Sequence, residues 1–147
     1  MSEEKKSKLQ ESGLIEWPVF SELIAMDEDE EGFSKSLFQT FVDQFVETCH
    51  DLELNLKEQN LDKLSGLGHY LKGSAAALGL EKISNECERI QNYGKKINFD
   101  NFKLEDSSLG EDDDEFWIKL IGDALQKARD NFDQAKKALN DYFDDEL

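Results

Sequence analysis

Apolar residues recur at steps of three and four through four successive stretches between Phe33 and Phe143, and the only proline, Pro18, lies ahead of all of them. That spacing is the period of a helix burying one face. No stretch alternates with the period of two that a half-buried strand requires. The first stretch, 33–60, carries Phe38, Phe41, Val42, Phe45, Cys49, Leu52 and Leu56. The second, 61–78, carries Leu64, Leu67, Leu71, Ala75 and Leu78. Asn60 suits its N-cap, and Gly79 its left-handed stop with Leu80 as apolar companion. The third, 81–97, carries Ile83, Cys87, Ile90, Gly94 and Ile97. The fourth, 112–143, has Asp112 and Glu115 at capping-box spacing. Its inner face holds Trp117, Ile121, Ala124, Leu125, Ala128, Phe132, Ala135 and Leu139. A shorter amphipathic segment, 16–26, has Pro18 in its first turn, where the missing N–H is no loss. The predicted fold is all-α: an antiparallel four-helix bundle, with an additional short N-terminal helix as a lid on one end. Residues 1–14 are expected to form a flexible arm, 15–147 the folded domain, and 98–114 a loop rich in Asp, Asn and Ser.

Charge narrows the function. The chain has 34 acidic and 17 basic residues, a net of -17. Such a surface repels phosphate backbones and anionic lipid, which argues against nucleic-acid and membrane partners. Leu, Ile, Val and Phe make up roughly a quarter of the chain, above the ~20% that marks disorder. Cys49 and Cys87 fall on apolar faces and read as buried reduced thiols. Two cysteines and two histidines show no zinc-ligand spacing. The charged start MSEEKKSKLQESG lacks the apolar segment of a signal peptide. The expected location is cytoplasm and nucleus.

His69 breaks the pattern. At about 100° per residue it lies roughly 160–200° from the stripe of Leu67, Leu71 and Leu78 and points out of the core. Around it stand Ser65, Gly66, Lys72, Gly73 and Ala76. Glycine inside a helix costs about 1 kcal/mol relative to alanine, so Gly66 and Gly73 suit a face that another surface approaches closely. An ordinary solvated histidine is one reading. The other is a nucleophile: neutral imidazole can accept a phosphoryl group, Lys72 can neutralise it, and Gly73 leaves room for the donor. His50 lacks this setting and is assigned no function. A second question concerns the 33–60 stretch, where Leu37 lies about 100° off the apolar face and Phe33 further round. They either pack against the short first helix or form an exposed docking patch.

The run HYLKGSAAALGL, 69–80, resembles the His-x-x-Lys-Gly-Ser signature of histidine-containing phosphotransfer (HPt) domains. CERIQNYGKK, 87–96, and IEWPVFSELIAMDEDEEGFSKSLF, 15–38, are similar to the fungal branch of that family. The resemblance covers nearly the whole chain beyond the arm. It implies a phosphorelay intermediate, a phosphocarrier without an autonomous kinase domain. His69 would accept a phosphoryl group from an aspartyl phosphate on the receiver domain of a hybrid histidine kinase. It would pass the group to an aspartate on a downstream response-regulator receiver. Lys72 would neutralise the phosphohistidine, Gly73 would give docking clearance, and Gln91 would hydrogen-bond and orient the imidazole. No cofactor or metal is implied on this chain, because Mg²⁺ belongs to the receiver. Receiver docking is expected on Val19, Leu23, Phe33, Leu37 and Tyr70, with the chain a monomer.

Two competing readings have weaker support. Asp27, Asp29, Glu31 and Gly32 mimic the start of a calcium loop, but its twelfth position, normally a bidentate Glu, is Phe38. An acidic helical scaffold without phosphotransfer is the alternative function, and it leaves the glycines and lysine around His69 unexplained.

Overall fold

The computed structural model describes residues 2–98 and 113–144. Six helices follow in order: α1 Ser2–Ser12, α2 Trp17–Ala25, α3 Phe33–Lys57, α4 Leu61–Ala77, α5 Glu81–Gly94 and α6 Asp114–Phe143. A single 3₁₀ turn, Met26–Glu28, extends α2. Helix α4 packs between α3 and α5, α5 packs on α6, and α6 closes the ring against α3. Short connections at 58–60 and 78–80 turn the chain back on itself, as an antiparallel bundle requires. Helix α2 lies against the start of α3. The expected four-helix bundle with an additional short helix is therefore observed.

The apolar faces meet as the periodicity requires. Phe45 and Phe132 stack across the centre with ring centroids 4.1 Å apart. Phe20 of α2 is fully buried and meets Phe38 and Tyr142 at one end. Tyr93 and Trp117 fill the other end. Every residue expected on the inner face of α6 is buried. Burying a large apolar side chain contributes roughly 1.5–3 kcal/mol, so this shared core holds the helices in register. Cys49 and Cys87 are buried free thiols within it. Burial pushes the Cys87 thiol up to about 12.

Helix ends account for the small departures from expectation. Gln59 and Lys96 adopt left-handed φ values of 57° and 61°. At these points Asn60 N–H bonds the Asn55 carbonyl, and Ile97 N–H bonds the Asn92 carbonyl. These are Schellman stops made without glycine. They end α3 and α5 about three residues earlier than the apolar pattern suggests. Ile97, expected on the α5 stripe, consequently lies beyond the helix and is exposed. Gly79 makes the expected stop after α4 at φ 77°, with Leu80 N–H bonded to the Ala75 carbonyl at 2.9 Å. Asn60 caps α4 through Lys63 N–H. The N-cap of α6 is Asp113, which accepts from Glu115 N–H. Asp112 and most of the expected loop, 99–112, lie outside the described residues.

One further segment differs from the sequence reading. Within 1–14, expected as an arm, Ser2–Ser12 is helical, and Leu9 is buried where α1 meets α6. The Asp27 carboxylate accepts from Ser34 N–H and Ser34 Oγ at 2.7 and 2.6 Å. It thus ties the turn after α2 to the first turn of α3. Among the described residues no group of three or more His, Cys, Asp or Glu side chains could hold a metal. None of the described helices is long and apolar enough to cross a membrane.

Candidate functional site

The close approach of α4 to α5 determines the surroundings of His69. A Cβ placed on Gly68 would lie 2.8 Å from Gln91 N and 2.9 Å from the Cys87 carbonyl oxygen. Only glycine allows backbones this near, and Gly68 directly precedes His69. Two hydroxyls fasten the same seam. Ser65 Oγ donates to the Gln91 carbonyl at 2.8 Å, and Ser84 Oγ to the Lys72 carbonyl at 3.2 Å. Each is worth about 1 kcal/mol net, and together they fix the register of the two helices on either side of His69.

His69 itself is exposed, as its angular position predicts. Gly66 and Gly73 are exposed too, and a Cβ on either would touch nothing within 4 Å. The open face therefore has room for a visiting surface. Ser65 was expected on this face and is instead buried against α5. Lys72 lies one turn along from His69, and its Nζ is 3.3 Å from Glu88 Oε2. Gln91 contributes a buried Oε1 with no hydrogen-bond partner. A buried acceptor without a donor costs about 1–3 kcal/mol, so this oxygen stands ready for an N–H donor.

Three of these participants escaped the sequence reading as such. The periodicity assigns Glu88 and Ser84 no role and Ser65 no bonding role. Their signal lies in spacing. Ser84, Glu88 and Gln91 occupy i, i+4 and i+7 on α5, opposite Ser65, Gly68 and Lys72 at i, i+3 and i+7 on α4. Behind this row, buried Arg89 anchors α5 to α6. It donates to Glu86 at 2.6 Å, Asp123 at 2.9 Å and Tyr93 Oη at 3.0 Å. Burial opposes its charge, but the bonds to Glu86, Tyr93 and Asp123 outweigh that and hold the guanidinium above its usual range.

The proposed docking residues divide. Tyr70, next to His69, is 47% exposed. Val19, Leu23, Phe33 and Leu37 are half-buried, and Leu23 and Leu37 pack against the core. Val19 lies beside Gly79, where α2 meets the α4–α5 turn through Glu16 N–H bonded to the Gly79 carbonyl. The two readings of Leu37 thus combine: one side packs inward and the remainder faces solvent.

Residues 36–131 match the family model for the Hpt domain. The phosphorelay intermediate protein YPD1 of Candida albicans is 52% identical, over 98% of this chain and all of that one. The YPD1 protein of Saccharomyces cerevisiae is 36% identical, over 92% of this chain and 97% of that one. The fold matches the Saccharomyces cerevisiae histidine phosphotransfer signaling protein Ypd1, co-crystallised with the receiver domain of its downstream response regulator Ssk1. The TM-score is 0.80 at 36% identity, covering 92% of this chain and 98% of that one.

Proposed function

This chain belongs to the Hpt domain family and is a phosphorelay intermediate, and from that premise we propose that His69 is the residue that carries the phosphoryl group. The observation that carries the proposal is the conjunction at the α4–α5 seam. His69 is exposed on α4, Lys72 follows one turn along the same helix, and the Gln91 backbone lies against Gly68, the residue before His69, with its buried Oε1 unpartnered. In this reading a turn of the imidazole toward α5 brings Nδ1–H to the open Gln91 Oε1, which fixes the tautomer and leaves the Nε2 lone pair facing solvent. Nε2 attacks the phosphorus of a receiver's aspartyl phosphate. The P–N bond forms as the P–O bond breaks, and the electron pair leaves with the aspartate carboxylate. The reverse step loads an aspartate on the next receiver. Lys72 offsets the charge of the phosphoryl group while it resides on His69. Gly73 leaves clearance for the receiver's backbone.

Docking is assigned to Tyr70 with the solvent-facing parts of Val19, Leu23, Phe33 and Leu37. The yeast relative's co-crystal with a receiver domain supports receivers as partners. A hybrid kinase's receiver is the proposed upstream donor. Mg²⁺ is supplied by the receiver, and the chain acts as a monomeric carrier, not a kinase, in cytoplasm and nucleus. Incubation with a phosphorylated receiver tests the proposal. Acid-labile label should appear on the parent chain and vanish in His69→Gln, whose melting curve should match the parent's. Full labelling of the variant, or label mapped to His50, contradicts it.

A further inference from the structure

Lys72 is already engaged before any phosphoryl group arrives. Its ammonium pairs with Glu88, and both side chains are a little over a third exposed, at 38% and 37%. We propose that Glu88 is the counter-ion that Lys72 exchanges for the phosphoryl group, and that it thereby sets how readily His69 gives the group up. This rests on the assignment of His69 as carrier.

Both ends of the pair are held by backbone. The Lys72 carbonyl accepts from Ser84, one turn before Glu88, and the Glu88 carbonyl accepts from Asn92 Nδ2 at 3.0 Å. Gln91, three residues after Glu88, has its backbone against Gly68. Glu88 therefore sits in the row that faces the His69 turn, and its placement does not depend on a mobile loop. The pair itself is half-solvated, and such pairs are weak and easily parted. A phosphoryl group brings a charge of about -1.5 to -2 against the carboxylate's -1, so the ammonium moves to it. Glu88 is then left as an unpaired negative charge beside a second one, which disfavours the loaded state. Competition for Lys72 and repulsion act in the same direction: both keep the phosphohistidine transferable.

Phosphoramidate isolates this effect from receiver docking. Its P–N bond breaks as the P–N bond to His69 forms, and ammonia leaves. The loaded-to-unloaded ratio at fixed phosphoramidate and ammonium, read by intact mass, therefore reports the equilibrium. Glu88→Gln keeps the size and removes the charge. It should raise the ratio about threefold at low salt, with the gain shrinking as salt screens the charges. In a Lys72→Ala background the same change should shift the ratio less than about twofold, since competition for the lysine is gone. A parent chain loaded at His69 with an unchanged ratio in Glu88→Gln overturns the exchange and leaves the carrier assignment standing. An equal shift in both Lys72 backgrounds also overturns it, because Glu88 would then act without the lysine. A parent chain that takes no label on His69 overturns the carrier assignment beneath it.

Discussion

Replacing Gly68 with alanine should destabilise the protein, although alanine is the better helix former. The added Cβ would meet Gln91 N at 2.8 Å, the Cys87 carbonyl oxygen at 2.9 Å and Ile90 Cγ2 at 3.0 Å. Two of the three are backbone atoms, so no side chain can swing aside and α5 itself must move. Overpacking of this kind costs about 1–3 kcal/mol. Moving α5 also strains the Ser65–Gln91 hydrogen bond, about 1 kcal/mol more. Against this, removing a helical glycine returns about 1 kcal/mol. The net is a loss of about 1–3 kcal/mol, a drop in melting temperature of roughly 3–10 °C for a chain of this size. Gly66→Ala, two residues away with nothing within 4 Å of its Cβ, is the control. It should gain about 0.5–1 kcal/mol. Urea unfolding of both variants beside the parent measures the difference. Equal stabilisation by the two alanines would show that α4 and α5 are further apart than described, and would remove the reason for placing Gln91 beside His69.

Other outcomes follow from the same geometry. Tyr70→Ala should weaken receiver binding by about tenfold in titration calorimetry while leaving the melting temperature nearly unchanged, because the ring is exposed. Leu37→Ala should lower both affinity and melting temperature, since that side chain packs on the core. Normal affinity in both variants would refute the docking surface. The Cys87 thiol, raised by burial from its ordinary value of 9.0 to about 12, should resist alkylation at pH 8 until the protein unfolds. The raised value also gives a sign. This contribution to stability is complete below pH 9 and is lost progressively as the pH rises toward 12, because the unfolded thiol ionises first. Urea midpoints that hold steady across that range would contradict it.

Much of this was legible in the sequence because a buried helix face repeats with a fixed period. The stripes of α3 and α6 and the outward direction of His69 follow from that period alone. What escaped detection lacks apolar signal. The α4–α5 seam is lined by Ser65, Gly68 and Ser84, small or polar residues that a hydrophobic pattern assigns to solvent. The stops at Gln59 and Lys96 are left-handed without glycine, so nothing in their residue type announces them. Helix α1 buries one leucine, Leu9, among charged residues, too few apolar positions to form a stripe. The Lys72–Glu88 pair joins different helices and becomes visible only once their register is known.

A pulse–chase experiment tests the central claim most directly. The chain is loaded from a phosphorylated receiver, freed of it, mapped by mass spectrometry, and mixed with a second, unphosphorylated receiver. The account predicts one labelled residue, His69, and the loss of that label as the acceptor receiver gains it in equal amount. Label on any other residue, or label on His69 that hydrolyses without reaching the acceptor, would contradict it.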